Sequence, residues 1–261
     1  MDDLAARQFI ELERDHWWFA GRRAIFFDVI ARALAGAPSA AGRPLAALDV
    51  GCGAGGMLPS LAALTAPTGL DISTELLVQA RARGFTRLLL GSADRLPFAP
   101  ASFDLVTAFD CIEHLDDDCA ALASFAAALK PGGHLFVSVP AWQFLFSEND
   151  RVAHHKRRYR RPDLVAKARA AGFEVVQASY VNSWLFPLII PAVLALQLKQ
   201  RFLKRPGAAA ETNLSYRTPR WINRLLAGIF SSERFVLRHA SFPLGHSLIL
   251  LARRPRESGP K

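Results

Sequence analysis

Cysteine is scarce in this chain. Three occur in 261 residues, Cys52, Cys111 and Cys119, and none of their spacings reads as a disulfide framework or a zinc site. Reduced thiols and a cytosolic setting are expected, with no metal. The opening residues Met1-Asp2-Asp3 are acidic and lack an apolar run, which argues against a secretory signal peptide. The longest charge-free apolar stretch, 181–198, falls short of the roughly 20 residues a spanning helix needs, and Pro187 and Pro191 interrupt it. No Gly-Lys-Ser/Thr follows the glycine-rich turn, so a P-loop is excluded. No Asn/Asp-Pro-Pro-Tyr/Phe motif or added nucleic-acid module is present, so nucleic acid is not an expected partner.

Apolar residues are abundant, at 51%, enough for a sizeable core and against global disorder. Charge is divided unevenly. Residues 1–150 carry 11 Lys/Arg and 18 Asp/Glu, whereas 151–261 carry 21 Lys/Arg and 5 Asp/Glu. The basic half also holds the most apolar run, a combination that suits an anionic membrane surface better than a nucleic acid. An ordinary basic solvated surface is the plain alternative.

Apolar spacing predicts a helix over 4–35 and a Gly/Pro loop over 36–44. Short apolar runs at 45–50, 68–72, 87–91, 103–109, 134–139, 173–179 and 246–252 read as strands. Helical patterns fall between them at 57–64, 74–83, 118–129 and 162–171, the last closed by Gly172. Lys130-Pro131-Gly132-Gly133 reads as a tight turn. The alternation predicts an α/β, Rossmann-like, doubly wound, mostly parallel seven-stranded sheet with helices on both faces. The expected organisation is an N-terminal helical lid over 1–44, a cofactor-binding core over 45–181, an apolar and basic helical insertion over 182–242, and a last core strand with a basic tail over 243–261. Within the insertion, apolar 184–198 is followed by a basic Pro/Gly linker at 204–207 and a second helical pattern near 221–230.

Gly51, Gly53 and Gly56 satisfy G-x-G-x-x-G, and the acidic Asp71 follows at the spacing of a ribose-binding carboxylate. Glycines turn the chain sharply and bring backbone close to a ligand. By itself this pattern suits a nicotinamide dinucleotide and S-adenosylmethionine equally. Asp49, two residues before Gly51, disfavours an anionic pyrophosphate and suits a cationic ammonium or sulfonium. Six elements then run in order over about 90 residues: Leu48-Asp49-Val50-Gly51-Cys52-Gly53-Ala54-Gly55; Gly69-Leu70-Asp71-Ile72-Ser73; Gly91-Ser92-Ala93-Asp94-Arg95-Leu96-Pro97-Phe98; Phe103-Asp104-Leu105-Val106; Ile112-Glu113-His114-Leu115; and Leu129-Lys130-Pro131-Gly132-Gly133-His134-Leu135. In these elements the chain resembles the class I S-adenosylmethionine-dependent methyltransferases, in the broad group (types 11 and 23) that includes quinone-biosynthesis enzymes.

The resemblance implies roles by position. Asp49 and the loop Gly51, Cys52, Gly53 and Gly55 would lie against the methionine part of S-adenosyl-L-methionine. Asp71 would bind the ribose hydroxyls, Ile72 would pack on the adenine, and Asp94 would accept from the adenine amino group with Ala93 beside it. Phe109 and Asp110 would flank the methionine end. An arginine of the N-terminal helix, Arg22 or Arg23, would reach the methionine carboxylate; Arg23 is carried forward as the candidate. The implied activity is methyl transfer to a small-molecule or lipid-linked acceptor, most plausibly at oxygen.

A sulfonium methyl is already activated, so the protein mainly aligns the acceptor in a dry pocket. An oxygen acceptor also needs its proton removed, a task for imidazole near neutral pH. His114, after the fourth strand, is the catalytic candidate; a structural histidine is the alternative. The basic stretch 151–169 offers His155 and Arg158 to an acceptor, with Arg157 and Arg160 as further anion-binding candidates. Trp17 and Trp18 cannot share one helical face, so Trp18 is a candidate cover for the acceptor. Segment 184–198, flanked by Lys199, Arg201, Lys204 and Arg205, suits an interfacial or lid segment, peripheral on the inner face of a membrane; a core helix or a dimer interface would serve the same pattern. Two other function classes remain open: a nicotinamide-dependent oxidoreductase, and a non-catalytic, membrane-bound module that keeps the cofactor fold.

Overall fold

The computed structural model of the chain describes residues 16–35, 43–202 and 218–256. The expected helical start at 4–15, most of the 36–44 loop and the 204–207 linker lie outside the described residues.

Seven strands form one sheet: β1 (Ala46–Val50), β2 (Ala66–Asp71), β3 (Leu88–Leu90), β4 (Phe103–Phe109), β5 (Leu129–Pro140), β6 (Glu174–Val181) and β7 (Ser247–Arg253). Their spatial order is β3-β2-β1-β4-β5-β7-β6, with β7 antiparallel to both neighbours. The Rossmann-like architecture expected from the alternating pattern is therefore present. The central strands are apolar in nearly every position because helices cover both faces; Leu48, Val50, Leu105, Val106, Phe136 and Val137 are all inaccessible to solvent.

The helices are α1 (Trp17–Leu34), α2 (Leu58–Ala62), α3 (Thr74–Ala82), α4 (Asp118–Ala128), α5 (Glu148–Val152), α6 (Arg161–Ala170), α7 (Phe186–Phe202) and α8 (Arg220–Val236). Short 3-10 turns lie at Ile112–His114 and Gln143–Leu145. The Ser73 hydroxyl accepts from Leu76 N and the Asp117 carboxylate from Ala120 N, capping α3 and α4. α1 lies against α8 so closely that a Cβ on Gly21 would stand 2.3 Å from the Phe230 ring.

Two expectations are corrected, and one segment left unassigned takes on structure. Lys130–Gly133 does not end a helix in a free turn but lies inside β5. There Gly132, at φ +81°, lets the strand bulge while Gly132 N and Gly133 O bond to Arg254. The two prolines do not split the 184–198 run: Pro187 falls in the first turn of α7 and Pro191 is carried within it, the first-turn position being tolerated because its N–H has no helical partner. Residues 143–152, for which the apolar pattern gives no element, fold into a 3-10 turn and α5, whose start is closed by a Ser147–Asp150 capping box.

β1 stands between β2 and β4, so the winding direction reverses at its carboxyl end. Ligands of open α/β sheets bind at such a switch point.

Candidate active site at the carboxyl edge of the sheet

The glycine turn leaves β1 at this edge. Gly51, Gly53 and Gly55 all take positive φ, at +72°, +54° and +84°, a region that strains any residue with a Cβ. A Cβ on Gly51 would also meet Cys111 Sγ at 2.7 Å, whereas one on Gly53 would point into open space. Cys52 is buried, and burial next to Asp49 and Asp71 pushes its thiol far above the usual range, so it is an inert wall of the turn.

Asp49 is buried on β1, and Thr107 Oγ1 on β4 donates to its Oδ1 at 2.8 Å. Asp71 ends β2; its Oδ2 accepts from Gly53 N at 2.8 Å and its Oδ1 from Ser73 N at 2.9 Å. The turn and the ribose-position carboxylate are thus held as one unit. Ile72 is 76% exposed beside it, an apolar surface open to a flat ligand. Ala93 is buried and Asp94 exposed in the loop after β3. A cationic ligand carrying a ribose and a flat base fits these groups: two carboxylates, an open Gly53 and an uncovered isoleucine. Nothing here would neutralise a pyrophosphate.

Residues 48–137 match the methyltransferase domain family model. This segment is a class I S-adenosylmethionine-dependent methyltransferase domain. The family implies S-adenosylmethionine as cofactor, in agreement with the fit just described. Among similar curated proteins, a 37.1 kDa protein of a Streptomyces fradiae transposon is 27% identical over 70% of this chain and 58% of its own. The ubiquinone biosynthesis O-methyltransferase of Xanthomonas euvesicatoria is 31% identical over 51% of this chain and 64% of its own. The chain thus spans about three fifths of the length of these relatives. Among solved structures, the putative methyltransferase of Haloferax volcanii in complex with the Trm112 methyltransferase activator shares the fold, with a TM-score of 0.57 and 21% identity. That alignment covers 99% of this chain and 97% of the other.

α1 packs over the carboxyl end of β4. Arg22, not Arg23, turns inward. It is buried, ion-paired with Asp110, and donates from Nη2 to Ser138 Oγ at 3.0 Å. Trp18, half-buried, lies 4.1 Å from the Arg22 guanidinium, a cation–π stack. Arg23 is half-buried on the same helix. Phe109 packs flat on Phe26 of α1 at 5.8 Å. Asp110 follows at φ +46° with its N–H bonded to Ser138 O.

His114 lies in the 3-10 turn beyond Asp110. Its Nδ1 is 3.3 Å from His154 O, and its ring meets that of His155 edge-to-face at 4.8 Å. Burial, then the neighbouring His155, lowers its pKa to about 4. His155 Nδ1 is 2.9 Å from Asp150 Oδ1. Burial would raise the Asp150 pKa, but hydrogen bonds from His155 and Arg158 outweigh it and hold the carboxyl well below its usual range. An ionised Asp150 holds His155 through Nδ1 and orients its ring.

The expectation for Arg158 is corrected. Its Nε and Nη2 bond to Asp150 at 2.8 and 2.9 Å and its Nη1 to Ala141 O, with only 7% of the side chain exposed. It serves an internal carboxylate, so it is not available for an anion on the acceptor. Arg157 is likewise turned to the Leu115 and Asp116 carbonyls.

Two participants were missed in the sequence. Asp150 carries no motif around it. Glu113 stands in Ile112-Glu113-His114-Leu115, a motif that by itself implies no role for it. It is wholly buried with neither carboxyl oxygen hydrogen-bonded, and its Oε1 lies 3.9 Å from His155 Nε2. Burial, then the charge of Asp110, raises its pKa well above the usual carboxylate range. Ligand atoms of Glu113, His114 and His155 lie within 4.8 Å of one another, so the fold gathers a carboxylate and two imidazoles that are far apart in sequence.

Proposed function

We propose that the chain transfers a methyl group from S-adenosylmethionine to a hydroxyl oxygen of a small or lipid-linked acceptor, working at an anionic membrane surface. One observation carries the chemical part. A paired imidazole, His155 on Asp150, stands at the same sheet edge as Asp49, Asp71 and the glycine turn.

S-adenosylmethionine supplies, when bound, a methyl group activated by its sulfonium. Asp49 gives that end a negative environment, Asp71 engages the ribose, and Ile72 with Ala93 and Asp94 holds the base. Trp18 and α1 keep water from the methionine end. The acceptor hydroxyl gives its proton to His155 Nε2, and Asp150 stabilises the imidazolium that results. His114, the catalytic candidate on sequence grounds, is a poor proton acceptor because burial lowers its pKa to about 4; it packs on His155 and fixes the ring.

The membrane part is supported by α7. Leu188 is 70% exposed, and Trp184, Leu194 and Leu198 are exposed too, while Lys199 and Arg201 occupy the last turn. No described helix is long and apolar enough to cross a membrane, so such a helix would lie in the interface.

The test is methyl transfer from labelled S-adenosylmethionine into a total lipid extract and a polar metabolite extract. Transfer should fall at least tenfold in Asp71→Ala and in His155→Gln, and less in His114→Gln. Tight binding of NAD with none of adenosylhomocysteine would overturn the assignment in favour of an oxidoreductase.

A further inference from the structure

Buried polar groups without partners are rare in folded proteins, and each calls for a reason. Among the described residues six have such a side-chain atom, and five of them sit at the sheet edge that holds the active site: Arg22, Glu113, Asn182, Ser183 and His246. Arg22 belongs to the Asp110 pair and Glu113 to the His114–His155 group described above. The other three form a group of their own.

Asn182 and His246 are the residues next beyond the last rung of the β6–β7 ladder, Val181 opposite Ser247. Asn182 is 1% exposed, and both its amide nitrogen and its amide oxygen lack a partner. It is also held at φ +58°, a conformation that costs free energy and persists at functional positions. Ser183 Oγ, unpartnered as well, stands 2.8 Å from where a Cβ of Gly245 would be. Only a glycine before His246 lets these two turns approach so closely. His246 O accepts from Ala141 N at 3.1 Å, and Ala141 O in turn accepts from Arg158, which holds Asp150; Arg158, Asp150 and Arg22 are the charges that act on the His246 ring. Trp142, indole-bonded to Gly245 O at 2.8 Å and stacked on Tyr180 at 4.9 Å, supplies an aromatic wall.

We propose that Asn182, Ser183 and His246 form a recognition subsite for the acceptor, taking a neutral group that both donates and accepts hydrogen bonds, such as a hydroxyl or a carboxamide. This rests on the methyltransferase reading above. The neutrality follows from the groups present. Asn182 and Ser183 are uncharged, and burial lowers the His246 pKa to about 3, so its ring is neutral at pH 7. The nearby arginines already face Asp110 and Asp150. A carboxylate or phosphate would find no free cation here and would lose its hydration. A neutral donor–acceptor group would satisfy the amide on both sides, and losing it would leave that amide unpaired again, which is how such sites discriminate.

The experiment uses the full chain, with and without adenosylhomocysteine, and two probes of one ring size, phenol and benzoate. Affinity is read in every variant by calorimetric titration, and the place of binding by NMR from the side-chain amide signals of Asn182, assigned by their loss in Asn182→Gly. That variant keeps the positive φ. Phenol should shift those signals, bind at least tenfold tighter than benzoate, and weaken at least tenfold in Asn182→Gly and in His246→Phe. Adenosylhomocysteine affinity should stay within twofold in both variants. Phenol binding unchanged in either folded variant, preference for benzoate, or no response of the Asn182 signals because only ordered water sits there would each overturn the proposal. Loss of adenosylhomocysteine binding by the parent chain would instead overturn the methyltransferase reading, and the phenol arm without it still judges the subsite.

Discussion

Arg22 of the first helix is ion-paired with Asp110 at the end of β4, and its guanidinium is stacked on Trp18. The pair ties a helix outside the family-matched segment to the carboxyl edge of the sheet. Replacing Arg22 by methionine keeps much of its apolar stem but strands Asp110 beside the buried Glu113. Breaking a fully buried pair costs roughly 3–5 kcal/mol; a smaller loss is expected here because the Asp110 side chain is 25% exposed. Calorimetric melting of Arg22→Met should show a clear drop in Tm, and adenosylhomocysteine should bind more weakly. An unchanged Tm would mean that the pair adds nothing to the apolar packing of α1 on the sheet and on α8.

The glycine turn separates two effects of adding a methyl group. Gly53→Ala meets no atom of the protein and suffers only its positive φ, so stability should fall by about 1 kcal/mol. Adenosylhomocysteine affinity should nevertheless fall at least tenfold, because the Cβ enters the ligand's space. Gly51→Ala adds a 2.7 Å contact with Cys111 Sγ to the same strain and should destabilise the chain more. Equal losses of stability in the two variants, measured by urea titration, would contradict this picture.

Three groups shifted by burial, one carboxyl and two imidazoles, set opposite pH dependences. Glu233 of α8 accepts from the N–H groups of Asn182, Ser183 and Trp184 at 2.6–2.9 Å, yet burial outweighs those bonds and raises its pKa to about 7. The folded state therefore binds a proton between pH 4.5 and 7 that the unfolded chain does not, and this group's contribution to stability falls as pH rises through that window. His246 and His114 are lowered to about 3 and about 4. Their contribution is present above pH 6.5 and is lost as pH falls below it. Thermal melts from pH 3.5 to 8 should show Glu233→Gln losing stability less than the parent between pH 4.5 and 7. His246→Phe should be less sensitive to acid below pH 6.

Membrane docking through α7 predicts co-sedimentation with vesicles of phosphatidylcholine and phosphatidylglycerol at low salt, partial release at high salt, and none with phosphatidylcholine alone. The double variant Leu188→Ser, Leu194→Ser should stay in the supernatant with its Tm unchanged, because both side chains are exposed. Equal supernatant recovery of the parent with and without vesicles would remove the membrane from the proposed function.

The strands, most of their crossover helices and the order of the cofactor motifs were legible because each is a local pattern. Apolar runs of four to seven residues between turn residues mark buried strands, and the glycine turn needs no distant partner to be seen. What escaped was long-range. Arg22 and Arg23 are indistinguishable until α1 is docked, and the stack on Trp18 then selects Arg22. Arg158 reads as a free cation until Asp150 folds back onto it through α5. Lys130–Gly133 has turn chemistry, yet Arg254 completes its backbone bonds and draws it into β5.

By itself the sequence determined the fold class and the cofactor-binding segment, because both rest on periodicity and on glycines whose backbone freedom is intrinsic. Only the tertiary structure decided which charges are already paired and which polar groups are left unpaired. The His155–Asp150 pair, the isolated Glu113 carboxyl and the orphaned amide of Asn182 come from separate loops and strand ends. The sheet's winding brings them to one edge, and burial there gives an unmet hydrogen bond its cost.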